Sequence, residues 1–234
     1  MYTFVINTKN YAEISGRKLD AVAAFIEKRH QEKAKLRVLL AVPSFDLRYL
    51  HAKYPHIALL TQHLDAATVG SSTGALVPEI AKISGASGSI INHSERRIEP
   101  HLIEKVVRRL RELKMLSIVC ARDPEEVSRF ATFNPDFVAV EPSELIGTGR
   151  AVSSVSPSVI SESRKALDRL SSERLKTRLL CGAGIVVGSD ASRSIELGAE
   201  GILVASGVVL SKDWKGKIEE LSKSMLAAKL QICG

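Results

Sequence analysis

Short apolar segments alternate with amphipathic segments along the whole chain, and this alternation repeats eight times. The apolar segments are continuous runs, such as LRVLLAV, DFVAV and EGILVA, and not alternations of apolar and polar residues. Continuous runs are typical of parallel strands that helices cover on both faces. Eight strand–helix units in 234 residues predict an α/β fold, a closed (β/α)8 barrel that forms one domain over residues 1–234.

The predicted strands are TFVIN, LRVLLAV, HIALLTQ, SGSIIN, LSIVC, DFVAV, TRLLC and EGILVA. The segments between them carry apolar residues at helical spacing, most clearly in PHLIEKVVRRLRELK. A doubly wound open sheet is the alternative fold. It would need fewer repeats and usually a GxGxxG turn after the first strand, and NTKNYAEISG lacks that turn.

The composition limits which binding partners and which cellular compartment are expected. The net charge is +7, but the basic residues alternate with acidic ones, as in EKRHQEKAK, which favours solvated helix faces over a nucleic-acid surface. No apolar run reaches the ~18–20 residues that a membrane span needs. The three cysteines have no metal-ligand spacing, and MYTFVIN lacks the features of a signal peptide. We therefore expect a cytoplasmic protein without a metal, a membrane or a nucleic acid as partner.

Polar residues follow several predicted strands at the point where each strand ends. Asn7 and Lys9 follow the first strand, His93 the fourth and Glu141 the sixth. In a barrel of this kind the carboxyl ends of the strands carry the chemistry. A carboxylate at the tip of the apolar run FVAV is costly unless it is used, so Glu141 is a candidate base. A helix N-terminus after His93 favours a neutral imidazole.

A long loop and two small-residue turns complete the candidate site. About fifteen residues separate the sixth strand from the next helix, which is typical of a lid that closes over a substrate. Gly-Ala-Gly at 182–184 and Ala-Ser-Gly at 205–207 follow the seventh and eighth strands. Phosphate sites in barrels commonly form from these two loops, because small side chains let backbone N–H groups approach the anion.

Together these stretches resemble the triosephosphate isomerase family, in its short archaeal form. The resemblance covers nearly the whole chain, through Asn-Thr-Lys at 7–9, INHSER around His93, AVEPSELIGTG from Ala139, CGAGI from Cys181 and LVASG from Leu203. It implies that Glu141 is the catalytic base and that a neutral His93 polarises the carbonyl, which is also a standard example of pKa tuning in enzymes.

The resemblance also implies that Lys9 stabilises the enediolate, that Asn7 hydrogen-bonds the reacting oxygens and that Glu95 supports its neighbours. The phosphate of a triose substrate would contact substrate-binding residues on the lid and on the two turns: Ile146, Gly147, Gly184, Ala205 and Ser206. No metal or organic cofactor is implied. The loop LDAATVGSSTGAL resembles one that props the active site of a neighbouring subunit, so a homodimer or homotetramer is implied.

One departure from the family pattern concerns the phosphate turn, where Val186 and Val187 stand in place of the Ser and Thr of close relatives. Two other hypotheses remain open at the sequence level. A different phosphate-binding barrel, such as a lyase or an amino-sugar isomerase, would keep both turns without needing Asn7, Lys9, His93 and Glu141 together. A non-catalytic binder of a phosphorylated metabolite or of nucleic acid would show no turnover.

Overall fold

Eight parallel strands form a closed ring in the order of the chain, which confirms the predicted (β/α)8 barrel. The structure, a computed structural model, describes residues 1–31, 36–142, 151–170 and 176–232. Strand β8 pairs with β1 and so closes the ring, with Thr3 opposite Gly201 and Ile6 opposite Val204. The strands are β1 Thr3–Asn7, β2 Arg37–Val42, β3 Ala58–Thr61, β4 Gly88–Ile91, β5 Leu116–Ala121, β6 Phe137–Val140, β7 Arg178–Cys181 and β8 Gly201–Val204.

Helices connect the strands and cover the outside of the ring. Those within the described residues are α1 Arg17–Gln31, α2 Leu47–Lys53, α3 Pro78–Ile83, α4 Pro100–Glu112, α5 Pro124–Ala131, α6 Val152–Val155, α7 Pro157–Leu170, α8 Gly188–Glu196, α9 Ser206–Val209 and α10 Trp214–Ile232. None of the helices in these ranges is both long and apolar enough to cross a membrane.

Two apolar layers explain why the strands are continuous hydrophobic runs. An inner cluster fills the barrel and includes Val5, Leu39, Ile118 and Phe137. The residues between them in sequence point outward into a larger cluster with the helices. In α4 the side chains of Ile103, Val106, Val107 and Leu110 are buried, as their helical spacing predicts. Each strand therefore buries both of its faces.

Two helical regions differ most from the prediction. The helix that we predict over SFDLRYLHAK begins only at Leu47, because the amide of Asp46 first closes a turn onto Pro43 O, at 3.0 Å. A short α6, which was not predicted, precedes α7. Ser156 separates the two helices in a non-helical conformation, since a residue before proline disfavours the helical region and Pro157 begins α7.

Candidate active site

The carboxyl ends of the strands bring most of the predicted residues to one mouth of the barrel. Lys9, His93 and Glu141 line a cavity of about 40 Å³ together with both small-residue turns, residues 183–186 and 205–207. Asn7 lies beside Lys9 on a larger groove of about 680 Å³, which also contacts His93 and Glu95. Ile146 and Gly147 lie outside the described residues.

Glu141 directly follows β6 and is only 4% exposed. Its Oε2 is buried and has no hydrogen-bond partner among the described residues. The Nε2 atom of His93 is 3.9 Å from this oxygen. Burying a carboxylate oxygen without a hydrogen-bond partner costs free energy. Because this oxygen has no such partner, its lone pairs are free to accept a proton from a ligand.

His93 is fixed by the turn that follows it. The amide of Glu95 donates to Nδ1 of His93 at 3.2 Å, so Nδ1 is the acceptor and a neutral ring carries its proton on Nε2, which faces Glu141. The N–H group in question comes from the turn at Ser94 and Glu95, closed by Arg96 N on His93 O at 2.7 Å. It does not come from α4, which begins later, at Pro100.

The loop after β1 holds Lys9 in a left-handed backbone conformation, with φ of 47°. Such a conformation is uncommon for a residue with a side chain and needs support. Oδ1 of Asn7 accepts from Lys9 N at 3.0 Å, and Nε2 of Gln62 donates to Lys9 O at 2.9 Å. The Lys9 ammonium lies 2.7 Å from a carboxylate oxygen of Glu95.

The two turns create backbone concavities at the other side of the cavity. Ala183 and Gly184 both have positive φ, 65° and 71°, and both line the cavity. Helix α9 begins at Ser206, directly after Ala205. The first N–H groups of a helix have no partner inside it, so α9 offers them to an anion.

The start of α8 is already occupied by side chains of this chain. Oδ2 of Asp190 accepts from the amides of Val186 and Val187, each at 3.0 Å, and Oε1 of Glu220 accepts from Gly188 at 2.6 Å. These amides are therefore not free for a phosphate. Gly184 and the start of α9, which also line the cavity, are left as the candidate anion-binding groups of this region.

Three residues at the site have roles in the structure that were not predicted. The first is Gln62, which donates to Lys9 O. The second is Asn92, which has φ of 62°. Its Nδ2 donates to Cys120 O and its Oδ1 accepts from Ile98 N, at 3.0 Å each, which fixes the residue before His93. A Cβ atom on Gly182 would overlap the side chain of Glu141. The left-handed preference of Asn could have indicated Asn92. The other two roles depend on contacts between distant segments.

Two buried thiols lie behind Glu141. Burial raises the pKa of Cys120 well above its ordinary value, and the Glu141 carboxylate raises it further. Burial also raises the pKa of Cys181, to about 12. Both thiols are therefore neutral beside the carboxylate. Among the described residues no cluster of three or more His, Cys, Asp or Glu side chains is arranged to hold a metal ion.

Comparisons with known proteins agree on one family. A family profile described as triosephosphate isomerase matches residues 2–221. The triosephosphate isomerase of Cenarchaeum symbiosum is 43% identical over 221 residues, which cover 94% of this chain and 96% of that protein. The enzyme of the same name from Methanothermus fervidus is 41% identical, with 94% and 97% coverage.

A solved structure agrees in fold. The crystal structure of triosephosphate isomerase from Bartonella henselae superposes with a TM-score of 0.70 at 21% identity, and covers 97% of this chain and 98% of that one. At that identity the likeness concerns the fold alone. The family profile and the archaeal relatives show more than the fold, because they match nearly the whole sequence: the chain belongs to the triosephosphate isomerase family.

Proposed function

We propose that this chain interconverts dihydroxyacetone phosphate and D-glyceraldehyde 3-phosphate, the isomerase step of glycolysis and gluconeogenesis, with Glu141 as the base. One observation carries the assignment of the base: Oε2 of Glu141 is buried, has no partner in the described residues and faces Nε2 of His93 across 3.9 Å. Both groups line the same cavity, so a small substrate in that cavity would contact acid and base from one side.

The reaction moves one proton between adjacent carbons. Glu141 takes the proton from the carbon next to the carbonyl, which leaves an enediolate, and returns it to the neighbouring carbon. His93 donates from Nε2–H to the carbonyl oxygen, because its Nδ1 is held by the amide of Glu95. It then passes a proton between the two oxygens. No cofactor enters this sequence, since only C–H and O–H bonds are broken or formed while the carbonyl double bond moves to the neighbouring carbon.

The charge that develops on the enediolate is balanced by Lys9. The left-handed backbone of Lys9 brings its ammonium to the cavity that Glu141 and His93 also line. A fixed cation in a site with little water stabilises a developing oxyanion more than it would in water. Asn7 uses Oδ1 to hold Lys9, so its amide nitrogen is the group left for a substrate oxygen.

The phosphate lies at the opposite side of the cavity, against backbone N–H groups. Gly184, Ala205 and Ser206 are the proposed contacts, because the start of α8 is filled by Asp190 and Glu220. The resemblance adds Ile146 and Gly147 of the lid. Lid closure would exclude water and so suppress loss of phosphate from the enediolate.

We further propose that the chain is a single domain that acts in the cytoplasm as a homodimer or homotetramer. The loop at residues 65–76 is closed at its base by two hydrogen bonds between Asp65 and Leu76, at 2.7 and 2.9 Å. Val69 on this loop is 59% exposed, and Phe45 beside the groove of Lys9 is fully exposed. A second copy would cover both residues. Analytical ultracentrifugation of the chain and of Val69→Lys tests this. The wild-type chain should sediment as an oligomer that Val69→Lys weakens, and a wild-type monomer at micromolar concentration would contradict the proposal.

The test of the reaction is the isomerisation rate of the purified chain beside two variants. Glu141→Gln keeps the size of the side chain but removes the base, so turnover should fall by several orders of magnitude. Glu27→Gln is the matched control, because Glu27 is also buried but lies on α1, away from the site. Equal activity in all three proteins would show that Glu141 is not the base, and an inactive wild-type chain would refute the proposed function.

A further inference from the structure

Two backbone segments meet across the phosphate side of the active-site cavity: the turn at residues 183–186 and the start of α9. Within the described part of the chain, two amides on each segment line this cavity and have no hydrogen-bond acceptor: those of Gly184, Ile185, Ser206 and Gly207. Backbone amides are the donors that the proposed phosphate would use. A single phosphate group can use both pairs only if the distance between the two segments suits it.

Gly207 lies at a close contact between these two segments. A Cβ atom on Gly207 would lie 2.4 Å from the carbonyl oxygen of Ile185. Ordinary contact begins at 3.4 Å, so a larger residue would separate the segments by the difference, 1.0 Å. Glycine is typical of a position where the backbone must be approached closely. The absence of a side chain at Gly207 therefore sets the gap between the turn and α9.

Helix α9 is fixed from its buried side and from its end. The side chains of Val208 and Val209 are fully buried, so a shift of α9 would disturb the close packing around them. Nζ of Lys18 donates to Val209 O at 2.7 Å, which ties the end of α9 to α1. A methyl group at Gly207 would therefore displace the opposite segment more than α9 itself.

The turn at residues 183–186 is the part that can move. The side chain of Ile185 is buried, and Oδ2 of Asp190 accepts from the amide of Val186 at 3.0 Å, so the end of the turn is held. The first two residues, Ala183 and Gly184, both have left-handed backbones, a conformation that costs free energy for alanine. A displacement of Ile185 O would be taken up there, and it would move the amide of Gly184.

Close packing alone would also explain a glycine at this position. It would predict a loss of stability on substitution and no effect on a ligand. The location of Gly207 adds a second expectation, because both sides of the contact carry amides that line the cavity. A hydrogen bond of about 2.9 Å that is lengthened by 1.0 Å is no longer a hydrogen bond.

We propose that Gly207 is a positioning residue for the phosphate group, and that its lack of a side chain fixes the gap that one phosphate spans. The inference rests on the phosphate site of the proposed function. Gly207 acts through the position that it allows for Ile185 O and for the amides of that turn. Because Glu141 and His93 line the other side of the cavity, a wider gap should weaken phosphate binding and leave the proton transfer unchanged.

The test is calorimetric titration of the intact chain with inorganic phosphate, beside the kinetics of isomerisation. Loss of one hydrogen bond to a charged group weakens binding by about tenfold. Gly207→Ala should therefore raise the Kd of phosphate by about tenfold or more and raise KM similarly, while kcat stays within about threefold. Phosphate should inhibit the wild-type chain competitively, with a Ki close to its Kd, which identifies the bound phosphate with this site.

Gly88→Ala is the matched control. Its Cβ atom would lie at the same distance, 2.4 Å, from a backbone oxygen, that of Leu116 at the amino-terminal end of the barrel. This variant should lose stability and leave the Kd of phosphate unchanged. If Gly207→Ala does not fold, Gly184→Ala decides, because alanine disfavours the left-handed backbone at φ of 71° and so moves the same turn. It should raise the Kd of phosphate in the same way.

Four outcomes would overturn the inference: no binding of phosphate to the wild-type chain, an unchanged Kd in the folded cavity variant, an equal rise of the Kd in Gly88→Ala, or a fall in kcat without a change in Kd or KM. Failure of the proposed function would look different. A wild-type chain that binds phosphate in a way that depends on Gly207, but does not isomerise the triose phosphates, would refute the proposed function and support the inference.

Discussion

Gly182 follows β7, and its backbone lies close to the side chain of Glu141. A Cβ atom at this position would lie 2.5 Å from Oε1 and 2.8 Å from Cδ of Glu141. Ordinary contact begins at 3.4 Å, so in Gly182→Ala the oxygen must retreat by the difference, 0.9 Å. The backbone of Gly182 is not in the left-handed region, so alanine adds this contact without backbone strain.

A displacement of that size should act on the chemistry more than on binding. A misplacement of about 1 Å in a catalytic group can cost on the order of 100-fold in rate. We expect kcat of Gly182→Ala to fall by about that factor, while KM changes little, because the phosphate contacts are elsewhere. Overpacking should also cost about 1–3 kcal/mol of stability. Steady-state isomerisation and urea unfolding measure the two effects.

Gly88→Ala is the matched control for this experiment. A Cβ atom on Gly88 would overlap Leu116, at the amino-terminal end of the barrel and far from the site. Because this Cβ atom would meet backbone atoms, the variant should lose at least as much stability as Gly182→Ala and should keep its kcat. If folded Gly182→Ala retains kcat within about threefold of the wild type, the carboxylate is not held where the structure has it.

Three further predictions concern residues around the site. Asn92→Ala should lose about 2–4 kcal/mol of stability, measured by urea unfolding, because the left-handed conformation and two buried hydrogen bonds lose their support. Burial lowers the pKa of His63, although Asp65 opposes this shift. The stability that His63 contributes is therefore complete above its ordinary pKa of about 6.5, and it is lost as the pH falls toward the pKa of His63 in the folded protein. His63→Asn should flatten the fall of Tm between about pH 7 and about pH 5, and an equal slope in both proteins would contradict this. Lys18→Met should raise KM by about two- to threefold with little change in kcat, since Nζ of Lys18 caps α9 through Val209 O at 2.7 Å, and an unchanged KM would rule out that support.

The fold and the catalytic side of the site could be predicted because they depend on local patterns. Continuous apolar runs mark the strands, and a charged residue at the end of such a run marks its functional tip. Glu141 was predicted in this way, and the structure places it at the carboxyl end of β6 beside His93. Its role as base stays a prediction until the variants are measured.

What could not be predicted depends on residues that are far apart in sequence. The carboxylate of Glu220, on α10, accepts a hydrogen bond from the first amide of α8, so no local pattern near Gly188 indicates this contact. The close approach of Gly182 to Glu141 and the hold of Gln62 on Lys9 O likewise join separate strands. The short helix α9 was not predicted, because four residues are too few to show a helical spacing of apolar side chains.

The closure of the ring has a consequence for how the chain is made. β1 is synthesised first, but its second neighbour, β8, begins only at Gly201. Until then a nascent chain that has begun to pair its strands keeps two unpaired sheet edges, and such edges promote aggregation. Premature termination before Gly201 should therefore yield insoluble fragments rather than a smaller domain. Synthesis of the last strand removes both edges in a single step.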